Sequence, residues 1–306
     1  MGVTGLYSLI DKFEMQIEKQ QKELLIKSYT EARNTLELFI MNQYKAIGTK
    51  ITFVDMQKFN RWEKLKKEID ETLANLEKNK FKIIDGGRKD VYQESFSFAN
   101  YEVYRDTPLD ITFAKLNKEA IAKGVENPVD LLKLPAVLER DRLTTINRLK
   151  NKLNQQLILG TSMRDTAQLI SDELNIDYNK ALKTVRTENH RVKEQASYDA
   201  GQEVEKEFDI KLKKQWLAVF DDRTREDHRK VDGKIVDWED DFKVGQSKGK
   251  MPGNLYGADS ASQNIYCRCK AIKVYDEFDK VSRTKLKTTN SNISYEDWKK
   301  GKLPKK

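Results

Sequence analysis

The chain has 306 residues, of which 38% are hydrophobic and 35% charged, and a formal net charge of +8. That length supports one large or two medium domains with real cores, and the high charge suits long, half-exposed helices. No apolar run approaches the length of a membrane span, and the N-terminal MGVTGLYSLIDKFEMQ lacks the positive n-region of a secretory signal, so the expectation is synthesis in a reducing cytoplasm.

Residues 4–80 read as long helices. Leu6, Leu9, Ile10, Phe13 and Ile17 recur at helical spacing, and so do Leu36, Phe39, Ile40 and Tyr44. Such stripes need a partner surface, which the chain's own later helices or another protein would supply equally well. IDGGRKD at 84–90 predicts a turn around Gly86-Gly87, and the aromatic stretch that follows predicts a short hairpin or an irregular arm. Helices return at Leu131. Pro135 opens one whose stripe is Leu143, Ile146, Leu149, Leu153 and Leu157; Gly160 ends it, and Ser162 with Asp165 caps the next. Asp177 is expected to cap a third helix.

Near Phe208 the period changes. IKLKKQWLAVF at 210–220 alternates like a strand, KIVDW at 234–238 forms another after an Asp232-Gly233 turn, and NIYCRCKAIKVY at 264–275 is the last. The expected class is α+β, mainly α-helical: long N-terminal helices and a helical bundle, then a small C-terminal α+β module with a short sheet. The expected segments are 1–107, helical with a hairpin or arm; 108–206, a helical bundle; 207–280, the small module; and 281–306, a basic flexible tail. A module of this size usually needs a metal, a disulfide or a neighbour to hold it.

Cys267 and Cys269 are the only cysteines, and the chain holds just two histidines, His190 and His228. Residues i and i+2 of a strand face one side, so both thiols can meet one metal while Arg268 points away. Structural zinc takes four thiolate or imidazole ligands. A site of His228, Cys267 and Cys269, completed by His190 or an acid such as Asp227, is chemically reasonable. Packing of two buried thiols explains the pattern equally well. A disulfide between next-but-one cysteines has poor geometry. In VRTENHRV, Arg186 and His190 share a helix face while Glu188 turns towards Arg191 and Gln195; alone, this is an ordinary solvated helix face.

Arg283, Lys285, Lys287, Lys299, Lys300, Lys302, Lys305 and Lys306, opposed by Glu296 and Asp297, place +6 of the +8 net charge in the last segment. A concentrated basic arm of this kind contacts phosphates without reading sequence, and Tyr295 and Trp298 would either stack on bases or anchor the arm. P-loop, His-Glu-x-x-His and Gly-x-Ser-x-Gly signatures are absent.

The ordered set Arg186-Thr187-Glu188, Trp216, Asp221-x3-Arg225-x2-His228, Asp232-Gly233 and Asn264-x2-Cys267-x-Cys269 resembles the Mu F-like family, the minor head or head-morphogenesis proteins of tailed bacteriophages, over about residues 140–276. The resemblance implies a non-enzymatic virion protein at the portal vertex inside the capsid, made in the host bacterial cytoplasm. Its implied partners are the portal protein, non-specific double-stranded DNA, and a scaffolding or major capsid protein, with no membrane during assembly. It implies roles in head assembly and genome delivery, a polar cluster of Arg186, Glu188, Asp221, Arg225 and Asn264, and a stronger case for a structural zinc. The rival reading is a nuclease or toxin-like effector using His228, Arg225 and Glu188.

Overall fold

The computed structural model describes residues 3–113, 116–126, 133–275, 278, 281–282, 285–287 and 293–302, with side chains from residue 9 onward. The elements in chain order are α1 (Val3–Ile47), β1 (Lys50–Ile51), α2 (Phe53–Gln57), α3 (Arg61–Asp106), α4 (Lys118–Glu126), α5 (Leu134–Leu159), β2 (Thr161–Ser162), α6 (Met163–Phe208), β3 (Leu212–Leu217), α7 (Glu226–Val231), β4 (Ile235–Asp237), β5 (Phe242–Val244), β6 (Ser247–Gly249), β7 (Tyr256–Gly257), α8 (Ser260–Asn264), β8 (Lys270–Tyr275) and α9 (Tyr295–Lys299). The class is mainly α-helical α+β, as the sequence predicts. No helix among the described residues is long and apolar enough to cross a membrane.

The compact units do not follow four consecutive segments. One unit combines 1–18, 87–131 and 186–306; the other combines 19–86 and 132–185. Helices α1, α3 and α6 each contribute to both. The expected turn at Gly86-Gly87 is continuous helix, and so is the expected hairpin or arm, since α3 runs unbroken to Asp106. The physical reason is burial all round: Val91, Tyr92, Ser95, Phe96, Phe98, Ala99, Tyr101 and Val103 are all buried. A helix without a polar face carries no 3.6-residue signal.

The helical unit of 19–86 and 132–185 packs Leu25, Leu36, Leu65, Ile69, Ile84, Leu149, Leu153, Ile170 and Val185 into one core. Pro135 lies in the first turn of α5, Gly160 ends it at φ 76°, and the Ser162 hydroxyl accepts from the Asp165 N–H at 3.2 Å, all as the spacing predicts. Asp177 is not a cap. It is buried in the middle of α6, where it accepts from Lys80 Nζ at 2.8 Å and from the Tyr29 hydroxyl at 2.6 Å. Thr145 Oγ1 lies 3.4 Å from its other oxygen. The carboxylate that sequence alone makes a helix starter is instead the anion that holds a buried lysine.

The other unit carries a three-stranded antiparallel sheet, ordered β4-β3-β8, with Gln215 opposite Ile235 and Ile272, and a second sheet ordered β5-β6-β7. The start of α1 belongs here. Ile10 and Ile17 are buried and Phe13 packs partly against the same core, while Leu9 is exposed; the side chain of Leu6 lies outside the described residues. Asp11 pairs with Lys193 at 3.3 Å and Lys270 at 2.6 Å, and Glu14 pairs with Lys193 at 2.5 Å. Ile10, Phe13 and Ile17 of this stripe are therefore covered by the protein's own chain.

The described parts of 281–302 are docked rather than free. Trp298 is 1% exposed and its indole N–H donates to Ile111 O at 2.8 Å. The Tyr295 hydroxyl donates to Glu94 at 3.0 Å. These rings anchor the segment and are not available to stack on bases.

Removing one member of a buried ion pair leaves the other uncompensated and costs ~3 kcal/mol or more, whereas replacing both with apolar groups is often neutral. Lys80→Met should therefore destabilise the protein by ~3 kcal/mol in urea denaturation. The double variant Lys80→Met/Asp177→Leu should recover most of that loss.

Candidate metal centre

The site lies in the unit that holds the β4-β3-β8 sheet. Strand β3 sends Leu212, Lys214 and Trp216 to its buried face by simple alternation, and Ala218 just beyond it is buried too. Trp216 packs edge-on against the His228 ring, centroids 5.5 Å apart, and against Phe242 at 5.3 Å. The one-and-a-half-turn helix α7 carries His228 and ends where Asp232 and Gly233 turn the chain. Gly233 takes φ 75°, its N–H donates to Trp216 O at 2.8 Å, and Asp232 accepts from the Ala218 N–H at 2.7 Å. The Asp-Gly pair thus returns the chain to the edge of β3 as β4.

The two cysteines do not lie in a strand, as their spacing predicts; they precede β8, in an irregular stretch that follows Tyr266 at φ 56°. They still face the same way. His228, Cys267 and Cys269 are all buried, and their ligand atoms lie within 4.8 Å of one another. His228 Nδ1 is 3.1 Å from Cys269 Sγ and 3.8 Å from Cys267 Sγ.

The other ring nitrogen decides the chemistry. His228 Nε2 is 3.0 Å from Gln263 Oε1. The Gln263 amide nitrogen donates to Asp227 at 3.0 Å and Asp259 at 2.8 Å, so its oxygen must face the ring. Nε2 then carries the proton and Nδ1 offers a lone pair towards two sulfurs. The hydrogen bond from Cys267 is the main influence lowering Cys269, to about 5, while the same bond and burial push Cys267 well above the ordinary thiol range. Nitrogen and thiolate lone pairs cannot face each other at this distance without a proton or cation between them. The group is compatible with structural zinc, whose soft donors these are.

His190 stands outside that group. Its ring lies against Gly253, where an added Cβ would come 3.0 Å from Cδ2, and its buried Nε2 has no hydrogen-bond partner. Burial, then Lys193, Lys270 and His228, keep its pKa well below the usual imidazole value.

The remaining motif residues form ion pairs or fasten backbone. Asp221 takes both guanidinium nitrogens of Arg268, at 2.5 and 2.6 Å, which clamps the residue between the cysteines and holds the carboxyl well below the usual range. Arg225 donates to Ile265 O. The Asn264 amide accepts from the Leu255 N–H at 2.9 Å and donates to Leu255 O at 2.6 Å, replacing a strand neighbour. Thr187 Oγ1 meets the Tyr266 N–H at 3.5 Å, and Arg186 pairs with Glu18 at 2.6 Å. Glu188 holds Arg88 at 3.1 Å and Arg191 at 3.0 Å, and both arginines donate to Val125 O near the end of α4. His228, Arg225 and Glu188, the trio of the effector reading, are thus engaged separately. Sequence reasoning missed Gln263; its only signal is the four-residue spacing from Asp259.

The profile of the phage Mu protein F-like family matches residues 147–272. The minor head protein GP7 of Bacillus phage SPP1 is 30% identical over 304 residues, covering 96% of each chain. The chain belongs to the Mu F-like family of phage minor head proteins. A second relative, NAD(+)–arginine ADP-ribosyltransferase EFV of Enterococcus faecalis (strain ATCC 700802 / V583), is 29% identical over 241 residues, 77% of this chain and 49% of that protein. This family member therefore spans about half of that relative's length. No solved structure matches it.

One further group governs how β8 is held in this family member. Glu194 on α6 accepts the Ala271 N–H at 2.9 Å. Burial raises its pKa to about 7, against the opposing pull of Lys193 and that N–H. The folded-state pKa thus lies above the unfolded value of ~4.3. Its contribution to stability is full below that value and is lost as pH rises through about 7. Over this window the wild type should lose up to ~3 kcal/mol relative to Glu194→Gln, read from denaturation midpoints at a series of pH values.

Proposed function

We propose that this protein is a non-enzymatic component of the phage head, seated at the portal vertex inside the capsid, touching packaged DNA and acting in head assembly and genome delivery. The observation that carries the reading is its correspondence over 96% of both chains with a protein named for the minor head. The site supports it. Motif residues that would serve a catalyst are engaged by the protein's own side chains and backbone, and the His/Cys/Cys group is buried. Quantitative composition of particles made with and without this gene tests the reading; absence of the protein from purified heads would overturn it. The effector reading makes the opposite prediction, plasmid nicking with divalent metal that is lost in His228→Ala.

We further propose that the His/Cys/Cys group supplies three of the four ligands of a zinc, His228 Nδ1, Cys267 Sγ and Cys269 Sγ. A bound zinc would act there as a structural cross-link and would stabilise the folded state by linkage. Elemental analysis of the reduced protein should find one zinc per chain. Chelation should lower the melting temperature, and Cys269→Ser should remove both the metal and the chelator effect. Metal-free protein with an unchanged melting temperature would rule the site out.

The DNA contact is assigned to the basic segment 281–306. Lys287 donates to Tyr104 O at 2.5 Å and Lys299 pairs with Glu94 at 2.7 Å, while Lys285 donates to Glu207 O. Lys300 and Lys302 are exposed; Arg283, Lys305 and Lys306 lie outside the described residues. Binding should be insensitive to sequence, with log K falling by about 0.9 per log salt for each phosphate neutralised. Charge reversal of Lys300 and Lys302 should reduce both affinity and slope in fluorescence anisotropy titrations. An unchanged slope would assign the contact to another surface.

A further inference from the structure

One end of the helical unit carries a surface that no part of the reading above uses. The connections from α1 to α3 and from α5 to α6 meet there. The β1-β2 ladder ties them together, with Lys50 opposite Ser162 and Ile51 opposite Thr161. The inner side is well built. Ile51, Met56, Trp62 and Leu157 are in the core, Phe53 sits edge-on to Trp62 at 6.2 Å, and a Thr52/Asp55 capping box starts α2.

The outer side is apolar and bare. Val54, Phe59, Ile158 and Leu159 are 66%, 78%, 65% and 86% exposed. Scattered single apolar residues on a surface need no explanation, but these four stand within a few residues of the two strands of the β1-β2 ladder, and exposed apolar residues grouped at one place in a fold mark an interaction site. Phe59 adds an independent observation. It sits at φ 57°, followed by Asn60 at φ 55°. The left-handed region is unfavourable for a bulky aromatic and persists only where surroundings enforce it. Here the ring is not buried in return; it lies beneath the Arg61 guanidinium at 4.9 Å.

The rim is positive. Segments 45–61 and 158–165 contain Lys45, Lys50, Lys58, Arg61 and Arg164 against Asp55 and Asp165. Asp55 accepts the Thr52 hydroxyl at 2.7 Å and pairs with Lys58 at 3.5 Å, and Asp165 accepts the Ser162 hydroxyl at 2.7 Å, so five cations still outnumber two carboxylates. The patch therefore offers apolar side chains inside a cationic ring, on a backbone fixed by a ladder and two caps. A fixed shape is rewarded by a complementary groove, which recovers the ordering already done, whereas a lipid surface has no shape to match.

We propose that this end is a docking knob, with Phe59 and Leu159 as its anchors, for an apolar groove edged with carboxylates on another protein of the phage head. The proposal rests on the reading of the chain as a head component.

The test uses the full chain in phage assembly, with copies per head counted by mass spectrometry. Glycine is at ease at positive φ, so Phe59→Gly should keep or raise the melting temperature while removing the anchor. Phe59→Gly/Leu159→Ser should fold with a wild-type melting temperature and lower the copy number at least ten-fold. Lys50→Glu/Lys58→Glu/Arg164→Glu, all at exposed positions, should do the same by opposing the acidic rim. Leu38→Ser, an exposed apolar position elsewhere in the same unit, should enter heads normally. Wild-type incorporation of the anchor double variant overturns the knob while leaving the head assignment intact. Absence of the wild-type protein from heads overturns the head assignment itself. Flotation of the wild type, but not the double variant, with phosphatidylglycerol vesicles would assign the knob to lipid and overturn the protein partner.

Discussion

Everything in the C-terminal part of the molecule turns on one ring nitrogen with its lone pair aimed at two sulfurs. His228 has no freedom to avoid this. Gln263 fixes its other nitrogen, Asp227 and Asp259 fix Gln263, and Trp216 closes the ring face. A proton shared with a thiolate, or a cation, must occupy the space between Nδ1 and the sulfurs. Helix α7, the segment 265–269 and strand β3 converge there, so whatever fills that space joins three elements that share little core of their own. The local cluster consists of eight buried residues, two of them the cysteines themselves.

This arrangement explains why the family motif is strung along so much sequence. Several of the motif positions satisfy a backbone or charge demand created by the cysteine segment. Asp221 grips Arg268, Arg225 and Thr187 take the carbonyl and the N–H of the peptide group that joins Ile265 to Tyr266, and Asn264 pairs with Leu255 as a neighbouring strand would. Buried polar groups must be paired, and a short irregular segment has no ladder to pair them. The side chains supply what secondary structure does not. Such a set resembles a catalytic constellation in sequence because both call for Asp, Arg, Glu, Asn and His at fixed spacings. The difference is where the polar atoms point: here, at the protein's own backbone and counter-charges.

The long helices obey a different rule. Most of their buried charges are answered, among them Lys80 by Asp177, Lys193 by Asp11 and Glu14, and Arg88 and Arg191 by Glu188. Such pairs add little net stability compared with apolar packing, but an uncompensated partner is costly, so mispaired helices are penalised. This is how helices with weak amphipathic signal find one register. The tail follows the same logic. Its positive charge reads as a free arm, yet the indole of Trp298 and several lysine ammonium groups have local acceptors that only the folded chain assembles.

The sequence by itself determined the helix-rich class, the caps at Pro135, Gly160 and Ser162, the strands at 212–217 and 270–275, and the grouping of His228 with the two cysteines, because these depend on local periodicity, turn chemistry and ligand type. Tertiary structure decided the rest. Residues 91–106 became helix because burial on every side erased the periodic signal, and Asp177 became a buried counter-ion because Lys80, 97 positions away, reaches it. His190 stayed outside the His/Cys/Cys group, and Gln263 came to hold His228, because positions on α6 and α8 relative to α7 are set by packing that no spacing encodes. Trp298 turned inward for the same reason: its acceptor, the carbonyl of Ile111, lies 187 residues distant in the chain and 2.8 Å away in the fold.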